Sequence, residues 1–301
     1  MVGLHRSGPD REVLVLALEL GVRAVDTAYN YRGGASHRLL RQRAGDLLER
    51  LEISTKVGFF PSPDGTVTHS LQPARLECAV RESATTLGVT PELVFLHNPE
   101  RSLAALPPAQ AADRLIAACA ALRDTAAAGW CRRWGISSWS PTALLPALDA
   151  LPADVRLGPA VLMVRAGLSV TTGELDAGEQ LAGRLDLARH SVWGMAPFGG
   201  DPDHPVWTTS TTTALMCLGQ PCSPIQAAYR LAFEIPPVAR VAVGASSPAQ
   251  LRALLAATEL RVDPERIARY RHLLRQRVLH RVSASSNLPA SRRAGSNNTP
   301  A

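Results

Sequence analysis

The sequence predicts an α/β fold of the (β/α)8 class, a TIM barrel, because eight short apolar segments alternate with longer amphipathic ones. A doubly wound sheet of the Rossmann type has little support, since no G-x-G-x-x-G motif follows the first strand. A chain of 301 residues that is 46% hydrophobic can bury one large core. We therefore expect a single-domain barrel over residues 1–281 with a short N-terminus, and a disordered C-terminal tail over residues 282–301, where Ser, Asn, Pro, Ala and Arg prevail.

The predicted strands are short runs in which Val, Leu, Ile and Phe prevail, as expected for parallel strands that are buried on both faces. Gly, Pro, Ser and Asp bound most of these runs, and such residues favour turns over strands. The strands are expected at Val2–His5, Val22–Val25, Leu51–Val57, Leu93–His97, Trp134–Ser137, Val161–Val164, Ser191–Ala196 and Ala239–Val243.

The predicted helices are periodic apolar segments that lie between capping residues. Asp10 is a suitable N-cap for the first helix and Gly21 ends it, while Ser36 can cap the second. Gly88 and Gly129 end two further helices. Helices are expected over residues 10–20, 36–48, 73–87, 107–128, 175–189, 222–234, 248–257 and 263–280, with one more that begins at Ser140-Pro141, and residues 58–72 are expected to form a long loop.

Composition and charge exclude several classes of function. The net charge of +6 is spread along the chain without a dense basic stripe, so no nucleic-acid partner is predicted. No apolar run reaches the roughly 18 residues of a membrane helix and the N-terminus lacks a signal-peptide pattern, so we expect a soluble, cytoplasmic protein without a membrane partner. The five cysteines form no C-x-x-C and show no zinc spacing, so no metal site is predicted.

Four ionisable side chains are expected to meet at one mouth of the barrel. Asp26, Lys56 and His97 lie at the ends of the second, third and fourth predicted strands. Tyr31 follows in the loop after Asp26. The C-terminal ends of all strands in such a barrel face the same side. An acid that is buried at the end of an apolar strand needs a cation, and Lys56 can supply it.

Lys56 is the only lysine among 32 basic residues. A composition that favours Arg replaces Lys wherever Arg serves equally well, so the surviving lysine indicates a position where Arg does not serve. A compact ammonium whose pKa can shift is the property that Arg lacks. Chance retention is the alternative interpretation.

These side chains suit the interconversion of a carbonyl and an alcohol, which needs a proton donor besides a hydride. A tyrosine has a pKa of about 10, which must fall towards 7 for work in both directions. The Lys56 ammonium would lower the pKa of Tyr31, and Asp26 would hold that ammonium. A neutral His97 would orient the carbonyl. The alternatives are a structural salt bridge, a packed histidine, and Tyr29 in the place of Tyr31.

Four motifs in this chain resemble the aldo-keto reductase superfamily, in the family's order and over residues 2–258: Asp26-Thr-Ala-x-x-Tyr31, Ser54-Thr-Lys56-Val-Gly, Val94-Phe-Leu-His97-Asn-Pro and Gly135-Ile-Ser-Ser. The second and third motifs resemble the bacterial sugar-dehydrogenase-like branch. The resemblance implies a barrel that binds NADPH without a Rossmann fold. It also implies a catalytic tetrad, which falls on Asp26, Tyr31, Lys56 and His97.

The same resemblance implies a cofactor site on the later strands, where this chain departs from the family's pattern. Ser137-Ser138 stands for the Ser-Asn that holds the nicotinamide amide, and Met163 stands for a Gln. Met195 stands for an aromatic that stacks on nicotinamide, and Gln250 for an Arg that holds the 2′-phosphate. The expected cofactor contacts are Ser137, Ser138, Met163, Met195, Ala196, Pro197, Phe198, Gly199, Gly244, Ala245, Ser246 and Gln250.

The activity that the resemblance implies is that of an NADP(H)-dependent oxidoreductase acting on a small-molecule carbonyl. NAD as the cofactor and a sugar-like or lactol substrate stay open, because Gln250 weakens the expected 2′-phosphate clamp. A barrel that keeps the tetrad but has lost turnover, and acts as a binding or regulatory protein, is the other alternative. The substrate mouth is expected to be partly aromatic, with Phe59, Phe60, Trp139, Phe198 and Trp207, although these aromatic residues could equally cover helices.

Overall fold

The computed structural model describes residues 1–62, 64–209 and 211–286, with side chains described as far as Gln276. The chain divides into two compact units, Met1–Val262 and Asp263–Ala301. The first unit holds every strand of the described chain, and it is the unit in which the predicted strand ends meet.

Short strands occur close to all the positions that the sequence predicts. In the described residues they are β1 (Val2–Gly3), β2 (Ala24–Asp26), β3 (Glu52–Val57), β4 (Phe59–Pro61), β5 (Val67–His69), β6 (Leu93–His97), β7 (Arg133–Ser138), β8 (Val161–Arg165), β9 (Val192–Met195) and β10 (Arg240–Ala242).

Eight of these strands form one parallel sheet in the order β1-β2-β3-β6-β7-β8-β9-β10. The first strand also lies beside the last, because Val2 bridges Val243 in parallel and the Gly3 amide donates to the Val243 carbonyl at 2.8 Å. This contact closes the sheet on itself. The predicted (β/α)8 class is therefore confirmed.

The helices alternate with the strands, as predicted, although several end earlier. The described chain contains α1 (Arg11–Glu19), α2 (Ser36–Ala44), α3 (Pro73–Leu87), α4 (Glu100–Leu103), α5 (Pro108–Ala127), α6 (Pro141–Asp149), α7 (Thr172–Arg184), α8 (Val206–Thr209), α9 (Pro224–Leu231), α10 (Pro248–Thr258) and α11 (Pro264–Ser286). The expected cap of α1 is present, since Asp10 Oδ1 accepts from the Val13 amide at 3.1 Å. Gly88 ends α3 in the left-handed conformation, as expected.

Two strand predictions were too long at the barrel's first turn. β2 begins at Ala24 and not at Val22, because the Val22 amide still donates to the Ala17 carbonyl, at 2.7 Å, in the turn that ends α1. β1 ends at Gly3, so His5 lies beyond it in an exposed position near the barrel mouth.

The segment 58–72, which was predicted as a loop, contains an antiparallel hairpin. β4 and β5 pair from Phe59 opposite His69 to Pro61 opposite Val67. Asp64 Oδ1 accepts from the amide and the hydroxyl of Thr66 and so stabilises the turn. The prediction was wrong here because three-residue strands with an exposed Val67 carry no readable alternation of apolar and polar residues.

Side chains alternate between the barrel interior and the helical layer along each strand. Leu93 and Phe95 of β6, Val161 and Met163 of β8 and Trp193 of β9 form a separate buried cluster. Phe95 and Trp193 lie on strands that are not neighbours, yet their ring centroids are 5.8 Å apart, so this cluster fills the interior. The intervening residues, such as Leu162 and Val164, pack in the larger cluster against the helices.

The second unit is described as the helix α11. Asp263 Oδ1 accepts from the amides of Glu265 and Arg266, which stabilises its first turn. The helix continues to Ser286, so it occupies residues 282–286 of the segment that the sequence predicted as a tail. The remainder of that predicted tail, residues 287–301, lies outside the described residues. None of the helices described in either unit combines the length and the apolar character that crossing a bilayer requires.

Candidate active site

The four predicted site residues come together at the C-terminal mouth of the barrel. Asp26 ends β2, Lys56 lies next to last in β3, and His97 ends β6. Strand alternation turns all three inward, because their neighbours Val25, Val57 and Leu96 pack against the helices. Tyr31 begins a 3-10 turn, Tyr31–Gly34, which follows β2.

Lys56 and Asp26 form a buried ion pair. Lys56 Nζ lies 2.5 Å from Asp26 Oδ2, and the lysine side chain is only 1% exposed. The ammonium also donates to the Thr27 carbonyl at 2.9 Å, while Asp26 Oδ1 accepts from Ser54 Oγ at 2.9 Å. Burial lowers the pKa of Lys56, but Asp26 and Tyr31 outweigh it and raise that pKa. The lysine is therefore held as an ammonium.

Tyr31 is the phenol that this ammonium contacts. Lys56 Nζ lies 3.4 Å from Tyr31 Oη and 5.2 Å from the centre of its ring. Burial raises the pKa of Tyr31, Lys56 opposes that shift, and the net direction is upward. The expected fall towards neutrality is thus not found, because the charge of Lys56 is largely neutralised by Asp26 while desolvation of the phenolate acts in full. At neutral pH Tyr31 keeps its proton.

Tyr29, the alternative phenol, points elsewhere. Its hydroxyl donates to Glu82 Oε2 at 2.5 Å, and its ring packs edge-on against Phe60 and His37. Burial and the Glu82 carboxylate raise the pKa of Tyr29 far above its usual value. This tyrosine belongs to the layer outside the strands and does not compete with Tyr31.

His97 is buried and neutral. Burial, and then the charge of Lys56, hold the pKa of His97 well below its usual range. Its Nδ1 atom is buried without a hydrogen-bond partner in the described chain. Its ring lies edge-on to Tyr31, with centroids 6.2 Å apart, and to Phe59 at 4.8 Å. A neutral imidazole with unused hydrogen-bonding capacity is suited to orient a polar ligand.

The hairpin β4–β5 contacts both the backbone and the ring of His97. His69 Nε2 lies 2.8 Å from the His97 carbonyl oxygen, and because that oxygen only accepts, Nε2 carries the hydrogen. His69 Nδ1 therefore accepts from Ser102 Oγ, which is 2.6 Å away. Phe59 packs between the two imidazoles, 4.6 Å from His69. The predicted loop thus supplies a wall of the site.

Several residues at this mouth were not predicted as site residues. His5 lies after β1 with its ring centre 4.6 Å from that of Tyr31. Arg165 ends β8, one residue beyond the strand that the sequence predicts. Both follow apolar runs, as Asp26 and His97 do, so their positions at strand ends were a usable indication. His69 gave no such indication, because its strand could not be recognised.

Ser137 and Ser138, which were expected to contact the nicotinamide, face opposite sides of β7. Ser137 faces inward beside His97 and Met163 in the sheet register, and its hydroxyl has no partner among the described residues. Ser138 faces the helical layer on the side of Glu100, and its hydroxyl also has no hydrogen-bond partner among the described residues. Met163 is fully buried in the interior cluster.

The segment after β9 turns sharply and enters the helical layer. Met195 ends the strand, Ala196 has a positive φ of 52°, and Pro197 and Phe198 are buried. The Phe198 ring packs against Trp207, with centroids 5.7 Å apart, and Gly199 follows with a positive φ. The expectation that Phe198 and Trp207 line the mouth is therefore wrong, because both pack against Tyr229 and its neighbours in the helical core.

The mouth keeps two of the five aromatic residues that were expected there. Phe59 is partly exposed against His97, and Trp139 is 42% exposed after β7. Phe60 is buried under Arg75, whose guanidinium lies 4.1 Å from the ring centre.

The loop after β10 is held together by Gln250. Gln250 Oε1 accepts from the Ser246 amide at 2.8 Å and from the Ser246 hydroxyl at 2.9 Å. Ser247 Oγ accepts from the Gln250 amide and caps α10. Ala245 is buried, and a Cβ on Gly244 would lie 3.2 Å from Ser7 Oγ. The Ser246 amide and hydroxyl, which were expected to hold a phosphate, are therefore already hydrogen-bonded to Gln250.

Within the described part of the chain, no group of three or more His, Cys, Asp or Glu side chains is arranged to hold a metal ion.

The chain is similar in sequence to one protein family and in fold to a set of solved structures. Residues 10–155 match the model of the Aldo/keto reductase family. The fold is similar to that of aldo-keto reductase AKR11C1 from Bacillus halodurans in its holo form, with a TM-score of 0.68, 20% identity, and coverage of 91% of this chain and 90% of the other. It is also similar to an aldo-keto reductase from Klebsiella pneumoniae solved with NADPH, with a TM-score of 0.66, 18% identity and coverage of 91% and 89%. A search of curated proteins gave no match.

Proposed function

Because residues 10–155 match the model of the Aldo/keto reductase family, we propose that this protein is an NADP(H)-dependent oxidoreductase that interconverts a carbonyl compound and an alcohol. The observation that carries the proposal is the buried Lys56–Asp26 pair with its ammonium 3.4 Å from Tyr31 Oη. This arrangement places a protonated phenol beside a fixed positive charge, which is what protonation of a carbonyl oxygen requires.

Tyr31 is the proton donor in this proposal. Its raised pKa keeps the phenol protonated at neutral pH, so it can deliver a proton to the oxygen of the carbonyl. The phenolate that remains lies beside the Lys56 ammonium, and that contact stabilises it as charge develops. NADPH, when bound, supplies the hydride that reaches the carbonyl carbon.

His97 and Phe59 position the substrate. A neutral imidazole donates a hydrogen bond to the carbonyl oxygen without competing with Tyr31 for the proton. Phe59 packs on His97 and keeps water from one side of the ring. Asp26 does not contact the substrate in this scheme; it holds the ammonium in place through Oδ2.

The residues present fit the nicotinamide end of the cofactor in part. The unpartnered Ser137 hydroxyl, next to His97 in the sheet, can bond to the carboxamide. Met163 cannot hydrogen-bond at that position, and Ser138 faces away. The Met195–Gly199 turn and the Gly244–Ser246 loop would hold the rest of the nucleotide.

An NAD(H)-dependent sugar or lactol dehydrogenase is the second candidate. The observation that favours it is the engagement of Ser246 by Gln250, because a 2′-phosphate would have to displace that carboxamide. The 2′-hydroxyl of NAD is smaller and uncharged, so it can be bound without displacing the Gln250 carboxamide from Ser246. Titrating NADPH and NADH separately by fluorescence distinguishes the two cofactors.

The deciding experiment combines that titration with a panel of aldehydes, ketones and sugars. The proposal expects micromolar binding of NADPH and oxidation of NADPH at 340 nm with at least one carbonyl. Binding of neither cofactor at micromolar concentration would reject the proposal and favour a barrel that acts without turnover. Binding without turnover on the whole panel would support the same alternative.

A further inference from the structure

Arg165 is the one charged residue among the inward-facing side chains of β8, the others being apolar. Val161 and Met163, four and two residues before it, pack in the interior cluster, so alternation places Arg165 on the same face at the strand's C-terminal end. It lies opposite Met195 in the sheet register, one layer above Met163. Arg165 therefore enters the mouth that also holds Tyr31 and His97.

The Arg165 guanidinium has no anionic partner in the described chain. Its Nε atom is buried without a hydrogen bond, and no described carboxylate lies within ion-pair distance of it. A buried donor without an acceptor is unfavourable and is rarely left so without a reason. Other arginines, such as Arg184 on α7 and Arg240 at the start of β10, do have carboxylate partners.

Trp139 holds this guanidinium in place. The guanidinium carbon of Arg165 lies 5.2 Å from the centre of the Trp139 ring, which is 42% exposed. The Trp139 and Ser140 amides both donate to Glu100 Oε1, at 2.7 and 3.0 Å, so the backbone beneath the indole is fixed. Burial raises the pKa of Glu100, and these donors oppose that shift. The result is an oriented cation beside an exposed aromatic surface.

We propose that Arg165 binds a carboxylate at the far end of the substrate, so that the protein's substrates are oxo acids: aldehydes or ketones that also carry a carboxylate. The inference rests on the proposed function. A planar guanidinium matches a carboxylate with two parallel hydrogen bonds. Trp139 would cover the chain between the carbonyl, held by Tyr31 and His97, and this carboxylate.

A cofactor phosphate is a less suitable partner for Arg165. The loop expected to meet the 2′-phosphate follows β10, two strands further along the sheet. Arg165 instead lies beside β7, whose strand end carries Ser137 next to His97. Its position is that of a substrate contact.

The test uses substrate pairs that differ only in charge: 4-oxobutanoate against 4-oxobutanamide, and 4-carboxybenzaldehyde against 4-carbamoylbenzaldehyde. The wild-type protein is expected to prefer the carboxylate by about ten- to a hundredfold in kcat/KM, mainly through KM. Arg165→Met should reduce that preference to near unity while turnover of the amides persists. Arg165→Lys should keep part of the preference for carboxylates, because lysine keeps the positive charge but cannot form the two parallel hydrogen bonds of a guanidinium.

Arg133→Met is the matched control, since Arg133 begins β7 at the opposite end of the barrel. The Arg133→Met variant also removes one positive charge, but far from the mouth, so it should leave the preference for carboxylate over amide substrates unchanged. A loss of preference in Arg133→Met equal to that in Arg165→Met would show a general charge effect and overturn the proposal. Weaker NADPH binding in Arg165→Met, with both members of each pair affected alike, would assign Arg165 to the cofactor and also overturn it.

Binding is measured separately from turnover, by calorimetric titration of 4-hydroxybutanoate and its amide into wild-type protein and Arg165→Met, with and without NADP⁺. Preferential binding of the carboxylate that is lost in the variant supports the inference even if no carbonyl is reduced, in which case only the proposed function fails. Equal reduction of charged and neutral aldehydes by the wild type rejects the inference and leaves the proposed function standing.

Discussion

The two halves of the barrel mouth differ in how completely their polar groups are satisfied. On β2 and β3, Ser54 and Lys56 both bond to the Asp26 carboxylate, at 2.9 and 2.5 Å. On β6, β7 and β8, His97 Nδ1, the Ser137 hydroxyl and Arg165 Nε are buried without partners in the described chain. The acid–base half is thus pre-organised by its own contacts, whereas the other half has bonding capacity that ligands would use.

The loop after β10 is an exception within that second half. Gln250 satisfies Ser246 internally, so a phosphate gains contacts there only by breaking existing ones. The positions with unpartnered polar groups are therefore not the positions at which the residue differs from the one that the resemblance implies. Ser137 matches the residue that the resemblance implies and lacks a partner, while Gln250 departs from it and accepts two hydrogen bonds from Ser246.

The strongest way to break the pre-organised half is Lys56→Met. The variant leaves the Asp26 carboxylate buried without its cation, so the free energy of unfolding should fall by about 3–5 kcal/mol. Turnover should fall by at least about a hundredfold, because the phenolate of Tyr31 loses its stabilising charge. Urea denaturation and steady-state rates measure the two effects.

The double variant Asp26→Asn/Lys56→Met is the control for that experiment. With no charge left in the pair, stability should recover towards the wild-type value while turnover stays low. Recovery of turnover in the double variant would show that the ion pair only supports the fold.

Tyr31→Phe tests the proton donor and leaves the ion pair intact. We expect a fall in kcat of about 10²- to 10⁴-fold, with cofactor affinity nearly unchanged. The matched control is Tyr29→Phe, which removes a phenol that donates to Glu82 outside the mouth and should keep its turnover. Undiminished turnover of Tyr31→Phe would remove that residue from the mechanism.

Acidification should weaken the fold on the side of the pre-organised half. Burial, then Lys56, lowers the pKa of His37 to about 4, and the same causes hold the pKa of His97 well below its usual range. The unfolded chain binds more protons there, so this stability is complete above about pH 6.5 and is lost as the pH falls. Each buried histidine should contribute about 2 kcal/mol of loss between pH 6.5 and 5.

Urea denaturation at pH 7 and at pH 5 measures this loss, and His37→Gln isolates one histidine. The variant should lose less stability than the wild type over the same interval. An identical pH dependence in the two proteins would show that His37 does not titrate as its buried position at Thr55 requires.

The smallest expected effect concerns the cofactor half. Gln250→Arg releases the amide and hydroxyl of Ser246 and adds a cation, so NADPH should bind about tenfold more tightly while NADH affinity changes little. Gln250→Glu keeps an acceptor for Ser246 but adds a negative charge, and should weaken NADPH binding. Fluorescence titration measures the affinity of each variant for NADPH and for NADH. Equal changes in the two affinities would show that this loop does not contact the 2′-phosphate.

The sequence predicts the acid–base residues of the site well, because Asp26 and His97 end apolar strands and Lys56 lies next to last in one. Strand ends in a barrel converge by topology alone, so the meeting of Asp26, Lys56 and His97 follows without knowledge of contacts. The family match over residues 10–155 covers these same residues. The inward position of Ser137 follows equally from strand alternation.

The remaining features depend on packing that a linear pattern does not contain. The pKa of Tyr31 rises because burial outweighs a cation that Asp26 already neutralises, and neither quantity is visible in the sequence. Phe198 enters the helical layer because the chain turns at Ala196 with a positive φ. The hairpin β4–β5 is fastened by His69, whose partners are 28 and 33 residues away along the chain.

The burial of Lys56 has a practical consequence for measuring the protein's motions. The side chain is the only lysine of the chain and is 1% exposed, so amine-acylating reagents find no lysine to modify while the barrel is closed. Acylation at Lys56 then requires β3 to open, and its rate under native conditions reports how often that opening occurs. The chain therefore carries a built-in chemical reporter of local unfolding at its reaction centre, readable by mass spectrometry of a single peptide.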